Sequence, residues 1–228
     1  MPAVVAQSGE EPGRRGQIIR AAARVLGRGG YSDSSIKQIA LEAGVAPGLV
    51  HYYFTSKEEL LVAVVHDLER EMVADWQSAV TGIDDPLERI VAALDHTAIR
   101  SAEHPEFFRL LFDLYIVGLN NPVIKERCAE LWTHFVDDID AEVRQVLGRL
   151  PSSGNVPPRD LAEAIGGAID GIALAGLLRE SRPVAIYGAL KEMLLSLVVT
   201  AYVSAGEEPP VARMRALLER GAPAVQIG

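Results

Sequence analysis

Three polar-tipped rings follow one another at His51, Tyr52 and Tyr53, directly after the stretch AGVAPGLV. Such rings can pack against sugars and methyl groups while their polar atoms hydrogen-bond to phosphates or base edges. A buried helix rarely places three amphipathic rings in succession. The sequence around them must therefore contain elements that hold the rings at a surface.

Two short helices joined by a glycine turn are predicted around these rings. The first begins at Ser35, and its inner face is formed by Ile36, Ile39, Ala40 and Ala43. Gly44 can take the left-handed backbone that reverses the chain after a helix. The second helix begins at Pro47, with Val50 and Phe54 facing inward. This arrangement is typical of a helix-turn-helix, whose second helix projects from the body of the domain.

Charge is distributed unevenly along the 228 residues, which carry a net charge of −9. The segment from Arg14 to Lys57 contains seven Lys or Arg and two acidic residues, a net charge of +5. The remainder contains 15 basic and 29 acidic residues, a net charge of −14. Short segments often deviate by a few charges. The split is equally compatible with a small basic unit joined to a larger acidic one.

Helical spacing recurs along the whole chain, and strand patterns are nearly absent. Prolines stand where helices should begin, and Ser35 with Gln38, Ser56 with Glu59 and Asp85 with Glu88 match the capping-box pattern. We predict an all-α protein of about ten helices, near 14–28, 35–43, 47–53, 57–81, 86–101, 105–120, 122–149, 158–180, 183–205 and 209–220. Residues 1–13 are interpreted as a flexible arm and 151–158 as a loop.

Composition excludes several classes of protein. The single cysteine, Cys128, allows no intrachain disulfide and favours a reducing cytoplasm. The N-terminus lacks the charge order of a secretory signal. The most apolar run, 184–205, carries Lys191 and Glu192 at its centre, which is unfavourable in the middle of a bilayer. We therefore expect no membrane association.

The run GGYSDSSIKQIALEAGVAPGLVHYYFTSKEELL, residues 29–61, resembles the DNA-binding domain of the TetR family of bacterial transcriptional regulators. The shared features are the Gly-Tyr pair, Ile-Ala, Ala-Gly-Val, a Gly-aromatic stretch, Phe, and Ser-Lys-Glu-x-Leu. Close similarity covers about residues 14–61. The resemblance implies a three-helix DNA-binding domain over 14–56, followed over 57–228 by a larger α-helical ligand-binding and dimerisation bundle.

The resemblance also implies which side chains meet DNA. By position, the DNA-binding residues would be Ser34, Ser35, Lys37, Pro47, Gly48, Leu49, His51, Tyr52, Tyr53 and Lys57. Ser34, Ser35, Lys37 and Lys57 would contact the backbone, Leu49 and His51 the bases, and the two tyrosines phosphate and sugar. The chain departs from the family with Ala46 in place of a hydroxyl N-cap and Leu49 in place of Thr. These departures reduce phosphate hydrogen bonding and suggest a methyl contact to thymine.

For the larger domain, the resemblance implies a homodimer that presents two recognition helices to a palindromic double-stranded operator. Gly167 and Gly171 in the eighth helix indicate close helix packing, either within one chain or between chains. The ninth helix is too apolar to face solvent and is expected to form half of the subunit contact. Ligand binding is expected to release the protein from DNA, so we expect a repressor.

Helices six and seven supply most of the candidate pocket for a small, largely apolar molecule. The candidate ligand-binding residues are Phe108, Phe112, Tyr115, Trp132, Phe135 and Asp170. An aromatic stripe at helical spacing is more often core than pocket. Asp170, inside an apolar helix, could face a polar ligand group, pair with an arginine, or lie at the surface.

The sequence contains no catalytic constellation, metal-binding pattern or cofactor motif that we recognise. Its histidines fall on separate predicted helices without an i, i+4 pair. Cys128 has no adjacent base. The alternative to a DNA-binding regulator is an α-helical small-molecule binding or enzymatic bundle whose N-terminal helices do not bind DNA.

Overall fold

A computed structural model describes residues 11–150, 156–179 and 183–220. All regular elements within these ranges are α-helices, which confirms the predicted all-α class. The ten helices are α1 Glu11–Asp33, α2 Ile36–Glu42, α3 Pro47–Tyr53, α4 Lys57–Val80, α5 Pro86–Glu103, α6 Pro105–Asn120, α7 Pro122–Leu147, α8 Pro158–Arg179, α9 Pro183–Ser204 and α10 Val211–Arg220.

The largest difference from the predicted boundaries is at α1, which continues to Asp33 instead of ending near residue 28. The extension crosses a kink at Gly30, where φ is 73° and ψ is 175°, a conformation that favours glycine. Residues 11–13, predicted to belong to the flexible arm, begin this helix. The rest of the predicted arm, 1–10, lies outside the described residues. In the predicted loop 151–158, residues 156 and 157 are non-helical, Pro158 begins α8, and 151–155 are not described.

The chain divides into two compact units that do not follow the linear order of the sequence. Unit one contains the residues up to Glu71 together with Arg109–Leu131, and unit two contains Met72–Phe108 together with the chain from Trp132 onward. The predicted division at residue 57 does not coincide with this partition, because the start of α4 and parts of α6 and α7 group with the N-terminal helices.

Unit one is built on a small apolar core that joins α1, α2, α3 and the first part of α4. Ile18, Ile39, Val50 and Leu60 are at most 1% exposed, and each belongs to a different helix. Gly44, with φ of 63°, reverses the chain between α2 and α3, as predicted. Its neighbour Val45 donates its amide hydrogen to Ala40 O at 2.9 Å, which closes the end of α2.

Helix caps agree in part with the sequence pattern. Ser35 and Gln38 form the full capping box, with each side chain bonded to the other residue's backbone. Asp85 accepts from the Glu88 amide, as expected of an N-cap. The Ser56 prediction is half right. Its hydroxyl accepts from Glu59 N, but the Glu59 carboxylate accepts from Thr55 instead of Ser56.

Unit two is held together by a buried ion pair as well as by an apolar core. The core includes Leu94, Val136, Ile165 and Tyr187, from α5, α7, α8 and α9. Lys191, which the sequence offered only as an argument against a membrane span, is 5% exposed on α9. Its Nζ lies 2.8 Å from Asp95 Oδ1 on α5. The pair therefore tethers α9 to α5 from within the unit.

We predict that Lys191→Ala destabilises the protein by about 2 kcal/mol, because removing the buried lysine leaves the partly buried Asp95 without its counter-charge. The double variant Lys191→Met/Asp95→Leu should recover most of this loss. Urea denaturation provides the measurement, with Lys125→Ala as a control because Lys125 is exposed. Equal effects of Lys191→Ala and Lys125→Ala would show that the pair is not structurally important.

Candidate functional sites

The exposed face of α3 carries the predicted ring-bearing surface. Val50 and Phe54 anchor the helix with 0% and 1% exposure, which leaves the opposite side outside the core. Tyr52 is 70% exposed and His51 is also exposed, whereas Tyr53 is half-buried. The two tyrosine rings contact edge-to-face at 5.2 Å. Short-range packing therefore orders this surface before any ligand arrives.

The start of α3 has no side-chain cap. Ala46 is the N-cap and supplies no side-chain hydrogen bond, as its residue type implied. Pro47 occupies the first turn, and both Pro47 and Gly48 are exposed. A Cβ built on Gly48 would meet no atom within 4 Å. Packing within the protein therefore does not require glycine at this position.

The ammonium group of Lys57 is hydrogen-bonded to the turn between α1 and α2. Its Nζ donates to Tyr31 O at 3.0 Å and to Ser34 O at 2.6 Å, and it lies 3.9 Å from the centre of the Tyr31 ring. Burial lowers the pKa of Lys57. Because an ammonium group has three N–H donors, one remains for a further acceptor.

Ser34 differs from the other predicted contact residues because it is buried, with 4% exposure. Its hydroxyl donates to Tyr31 O at 2.8 Å. This geometry assigns Ser34 to the packing of the turn, and we omit it from the proposed contact surface. Ser35 and Lys37 are exposed, so both remain in the proposed contact surface.

Two of the basic residues that give the N-terminal segment its positive charge are partly neutralised. Glu42 on α2 accepts from Arg24 at 2.6 Å and lies 3.4 Å from Arg28. The pKa of Glu42 is lowered by these partners, first by its hydrogen bond to Arg24. Arg20 and Lys37 are exposed. The cationic surface of unit one is therefore smaller than the count of basic residues suggests.

A second candidate site lies in unit two, where two predicted aromatic residues meet α8. The Trp132 and Phe135 rings are 5.9 Å apart on α7. A Cβ at Gly166 would lie only 3.3 Å from Trp132 Cη2 and 3.4 Å from Phe135 Cε1. Glu163 fixes the indole by accepting from Trp132 Nε1 at 2.9 Å. The absence of a side chain at Gly166 lets both rings lie against α8.

Asp170 follows Gly166 by one helical turn, which places it on the same face of α8. Enclosure by protein raises the pKa of Asp170 to about 7, and burial is the cause. Across the described ranges, no basic side chain lies close enough to lower this pKa. Of the three roles left open by the sequence, pairing with an arginine of the described chain is therefore not observed.

Tyr187 is a member of this site that the sequence did not single out. It is 1% exposed on α9, and its hydroxyl donates to Ile169 O at 3.1 Å and lies 3.2 Å from Ser101 Oγ. The pKa of Tyr187 is raised to about 12, first by burial and also by the negative charge of Asp170. A tyrosine among the apolar and small residues near the start of α9 was the available signal.

The remaining candidate pocket residues lie elsewhere. Phe108 is buried against Phe107 with ring centres 5.3 Å apart, a core contact in unit two. Phe112 and Tyr115 contact each other at 6.3 Å within unit one. The six predicted residues therefore do not form one group within either unit, and only Trp132, Phe135 and Asp170 share a site described here.

The structure offers little for nucleophilic or metal chemistry in the described part of the chain. Cys128 is buried, and burial raises the pKa of its thiol to about 11, so the reactive thiolate is disfavoured. Among the described residues, no group of three or more His, Cys, Asp or Glu side chains is placed to hold a metal ion.

We predict that Asp170 makes the stability of the ligand-free protein pH-dependent. Its folded pKa of about 7 exceeds the unfolded value of about 3.9, so the folded state holds the proton more tightly. The resulting stabilisation is complete below pH 4 and is lost, by roughly 2–4 kcal/mol, as the pH rises through 7. Denaturation from pH 4 to 8 should show this difference between the wild type and Asp170→Asn. If the stability of the two proteins changed with pH in the same way, the raised pKa assigned to Asp170 would be wrong.

Both parts of the chain match known protein families. Residues 18–64 match the model described as bacterial regulatory proteins of the tetR family. Residues 86–199 match the model described as the C-terminal domain of BetI-type transcriptional repressors. The first match covers the helix-turn-helix, and the second covers α5 through most of α9. The alternative of a helical bundle without DNA binding is not favoured by these matches.

Individual relatives and solved structures indicate the same family as the two family models. The HTH-type transcriptional regulator BetI of Brucella melitensis is 31% identical over 177 residues, covering 77% of this chain and 85% of the relative. A TetR transcriptional regulator from Chloroflexus aurantiacus aligns with a TM-score of 0.74 at 21% identity, covering 82% of this chain and 97% of that one. A transcriptional regulator from Saccharomonospora viridis, solved in complex with choline, aligns with a TM-score of 0.71 at 20% identity, covering 81% and 96%. The chain thus belongs to the TetR family of bacterial transcriptional regulators, with a C-terminal domain of the BetI repressor type.

Proposed function

We propose that this regulator represses transcription from a palindromic operator and is released from it by a small organic cation bound in unit two. Family membership implies a soluble cytoplasmic protein that binds DNA and acts as a dimer. The observation that carries the ligand assignment is Asp170, a partly buried carboxyl group without a basic partner in the described chain, one helical turn from the glycine that packs against a pair of aromatic rings.

In this proposal, α3 enters the major groove. Val50 and Phe54 hold its inner side, so Leu49, His51 and Tyr52 are presented toward base edges and sugars. Leu49 offers an apolar contact to a thymine methyl group in place of a hydroxyl contact. Gly48 lets the start of the helix approach the DNA backbone closely, which explains a glycine that the protein interior does not need.

Phosphate contacts come from the elements around α3. Ser35 and Lys37 are exposed at the start of α2, and Tyr53 follows Tyr52 at the end of α3. Lys57 offers its third N–H to a phosphate while the other two hold the turn before α2. Such contacts fix orientation on the duplex and carry no sequence information.

The subunit contact is assigned to α8 and α9. Each is long and apolar enough to cross a membrane by length and composition alone, with a mean hydropathy of 1.6. Leu178, Met193 and Val203 are more than 60% exposed, so these helices carry apolar surface that their own unit leaves uncovered. A Cβ at Gly167 or Gly171 would meet no atom within 4 Å, leaving room for a second copy to approach α8.

The ligand site suits a compact quaternary ammonium ion. Aromatic faces attract such cations, and a carboxylate supplies the counter-charge that an enclosed cation requires. Trp132 is oriented by Glu163 and packs with Phe135 over Gly166, one turn from Asp170. Choline, bound by the Saccharomonospora viridis neighbour, has this chemistry and is our candidate ligand. The sequence-based expectation of a largely apolar ligand is thereby narrowed to a cation with apolar substituents.

Release follows if the cation binds more tightly to the conformation that cannot engage DNA. A ligand shifts such an equilibrium only by the ratio of its affinities for the two conformations. Because Asp170 must be ionised to receive a cation, bound ligand should lower its pKa, and cation affinity should rise between pH 6 and 8.

We predict that Gly48→Ala weakens operator binding at least tenfold, with unchanged or raised thermal stability. Alanine is favoured over glycine in a helix by about 0.5–1 kcal/mol, and it meets no protein atom here. Fluorescence anisotropy against operator DNA gives the affinity, and thermal melts give the stability. Leu41→Ala is a suitable control, because Leu41 is 82% exposed on α2. Wild-type DNA affinity in Gly48→Ala would exclude close approach at this position.

We predict that saturating choline weakens DNA binding by the wild type and that Asp170→Asn loses this response while keeping its DNA affinity. The uncharged isostere 3,3-dimethylbutan-1-ol should be inactive, since it offers no charge to Asp170. Asp160→Asn is the matched control, because Asp160 is exposed on the same helix. The ligand class is wrong if the isostere acts as choline does, or if the Asp170 variant responds like the wild type.

A further inference from the structure

The geometry points to a second binding site in unit two, for a small uncharged apolar molecule, in a cavity separate from the Asp170 site. The cavity has a volume of about 200 Å³ and lies among α5, α7, α8 and α9. Representative lining residues are Leu87, Ile90, Val146, Leu161, Leu194 and Ala201. This inference does not depend on the proposed cation site.

The residues that line the cavity disfavour a charged ligand. Its side chains are those of Leu, Ile, Val and Ala, with two hydroxyl residues, Thr200 and Ser204. The Thr200 hydroxyl donates to Ser196 O at 2.8 Å, so its hydrogen is already used within α9. A charged ligand would lose its hydration here without gaining a counter-charge. Hydrocarbon groups can enter without that penalty.

The volume suits a small molecule. Apolar cavities of about 150 Å³ in other proteins stay dry and bind benzene. The present cavity is somewhat larger, so a substituted benzene or a short branched alkane matches its size. Val156 and Leu197, both more than half exposed in the single chain, lie at its edge.

The cavity and the cation site are lined by different residues, and on α7 they are also separated along the helix. On α7, the lining begins at Val143, about 12 Å along the helix axis from Phe135, whereas on α8 it extends to Ile165, the neighbour of Gly166. Val136 and Ile139, which lie between Phe135 and Val143 on α7, are buried. Trp132, Phe135 and Asp170 are not among the residues that line the cavity. Because both sites use α7, α8 and α9, binding at one can still influence the other.

Ala201 is the small residue on the lining face of α9, which also presents Leu194 and Val198. A larger side chain there should project into the empty volume, so Ala201→Phe is the direct test of the cavity. Ala141→Phe is the matched control, because Ala141 is exposed on α7. Ala201→Leu is a milder filling variant if the phenylalanine prevents folding.

The experiment measures the melting temperature of the full chain against increasing toluene, with benzoate as its charged counterpart. A ligand that binds only the folded state raises the melting temperature in a saturable manner. We expect saturable stabilisation by toluene but not benzoate in the wild type and Ala141→Phe. Ala201→Phe, or Ala201→Leu if required, should lose at least tenfold in toluene affinity.

Two results would overturn the proposal. One is a wild type that does not respond to toluene, whether the cavity closes in solution or a side chain of the second copy fills it. The other is an unchanged toluene affinity in a folded filling variant. Choline titration of the same proteins keeps the two sites distinct, because failure of choline to bind would refute the cation site without altering the toluene result.

Discussion

DNA binding by unit one depends on how a helix of seven residues is held in place. A helix as short as Pro47–Tyr53 is not stable in isolation, because helix nucleation is costly and two turns offer little in return. Its stability comes from Val50 and Phe54, which are almost completely buried. With its inner side fixed this way, the outer side can carry residues chosen for contact instead of for folding. For the same reason, α3 can form although Ala46 provides no side-chain cap and packing within the protein does not require glycine at position 48.

Two partly buried carboxyl groups of unit two, Asp95 and Asp170, illustrate the difference between a structural and a ligand-binding role. Asp95 has its counter-charge in Lys191, and the pair joins two helices. Asp170 has no such partner in the described chain, and its pKa is raised toward neutrality. An enclosed charge that is paired is a structural element, whereas an unpaired one is under-satisfied until a cation arrives. In this account, ligand binding completes the electrostatics of unit two, and the gain is available to shift the protein between conformations.

Much of the fold could be predicted from local signals. Prolines after Asp85, Asn121 and Pro157 mark where helices begin, and nine of the ten predicted helices end within three residues of the observed positions, α1 being the exception. Helix α1 was predicted too short because Gly29 and Gly30 favour termination, whereas the chain kinks at Gly30 and resumes helical geometry. Local patterns do not show tertiary packing that overrides them.

The sites were harder to predict, since burial and pairing are tertiary properties. Ser34 matches the family's contact position, but the turn draws its hydroxyl inward to Tyr31 O. Nothing local indicates that Lys191 is buried or that Tyr187 lies near Asp170. Residue type did identify the exposed rings of α3, because amphipathic side chains in succession are difficult to bury. It also singled out Asp170, because an acid in the otherwise apolar stretch 164–178 of α8 requires an explanation.

The central claim is that two copies of this chain read DNA symmetrically through α3. Footprinting on the genomic fragment beside the protein's own gene, with purified full-length protein, tests it most directly. The account predicts two protected half-sites of inverted sequence, one helical turn of DNA or a multiple of it apart centre to centre, and protection that is lost as salt rises. Protection that is uniform along the fragment and equal to that on unrelated DNA would contradict it.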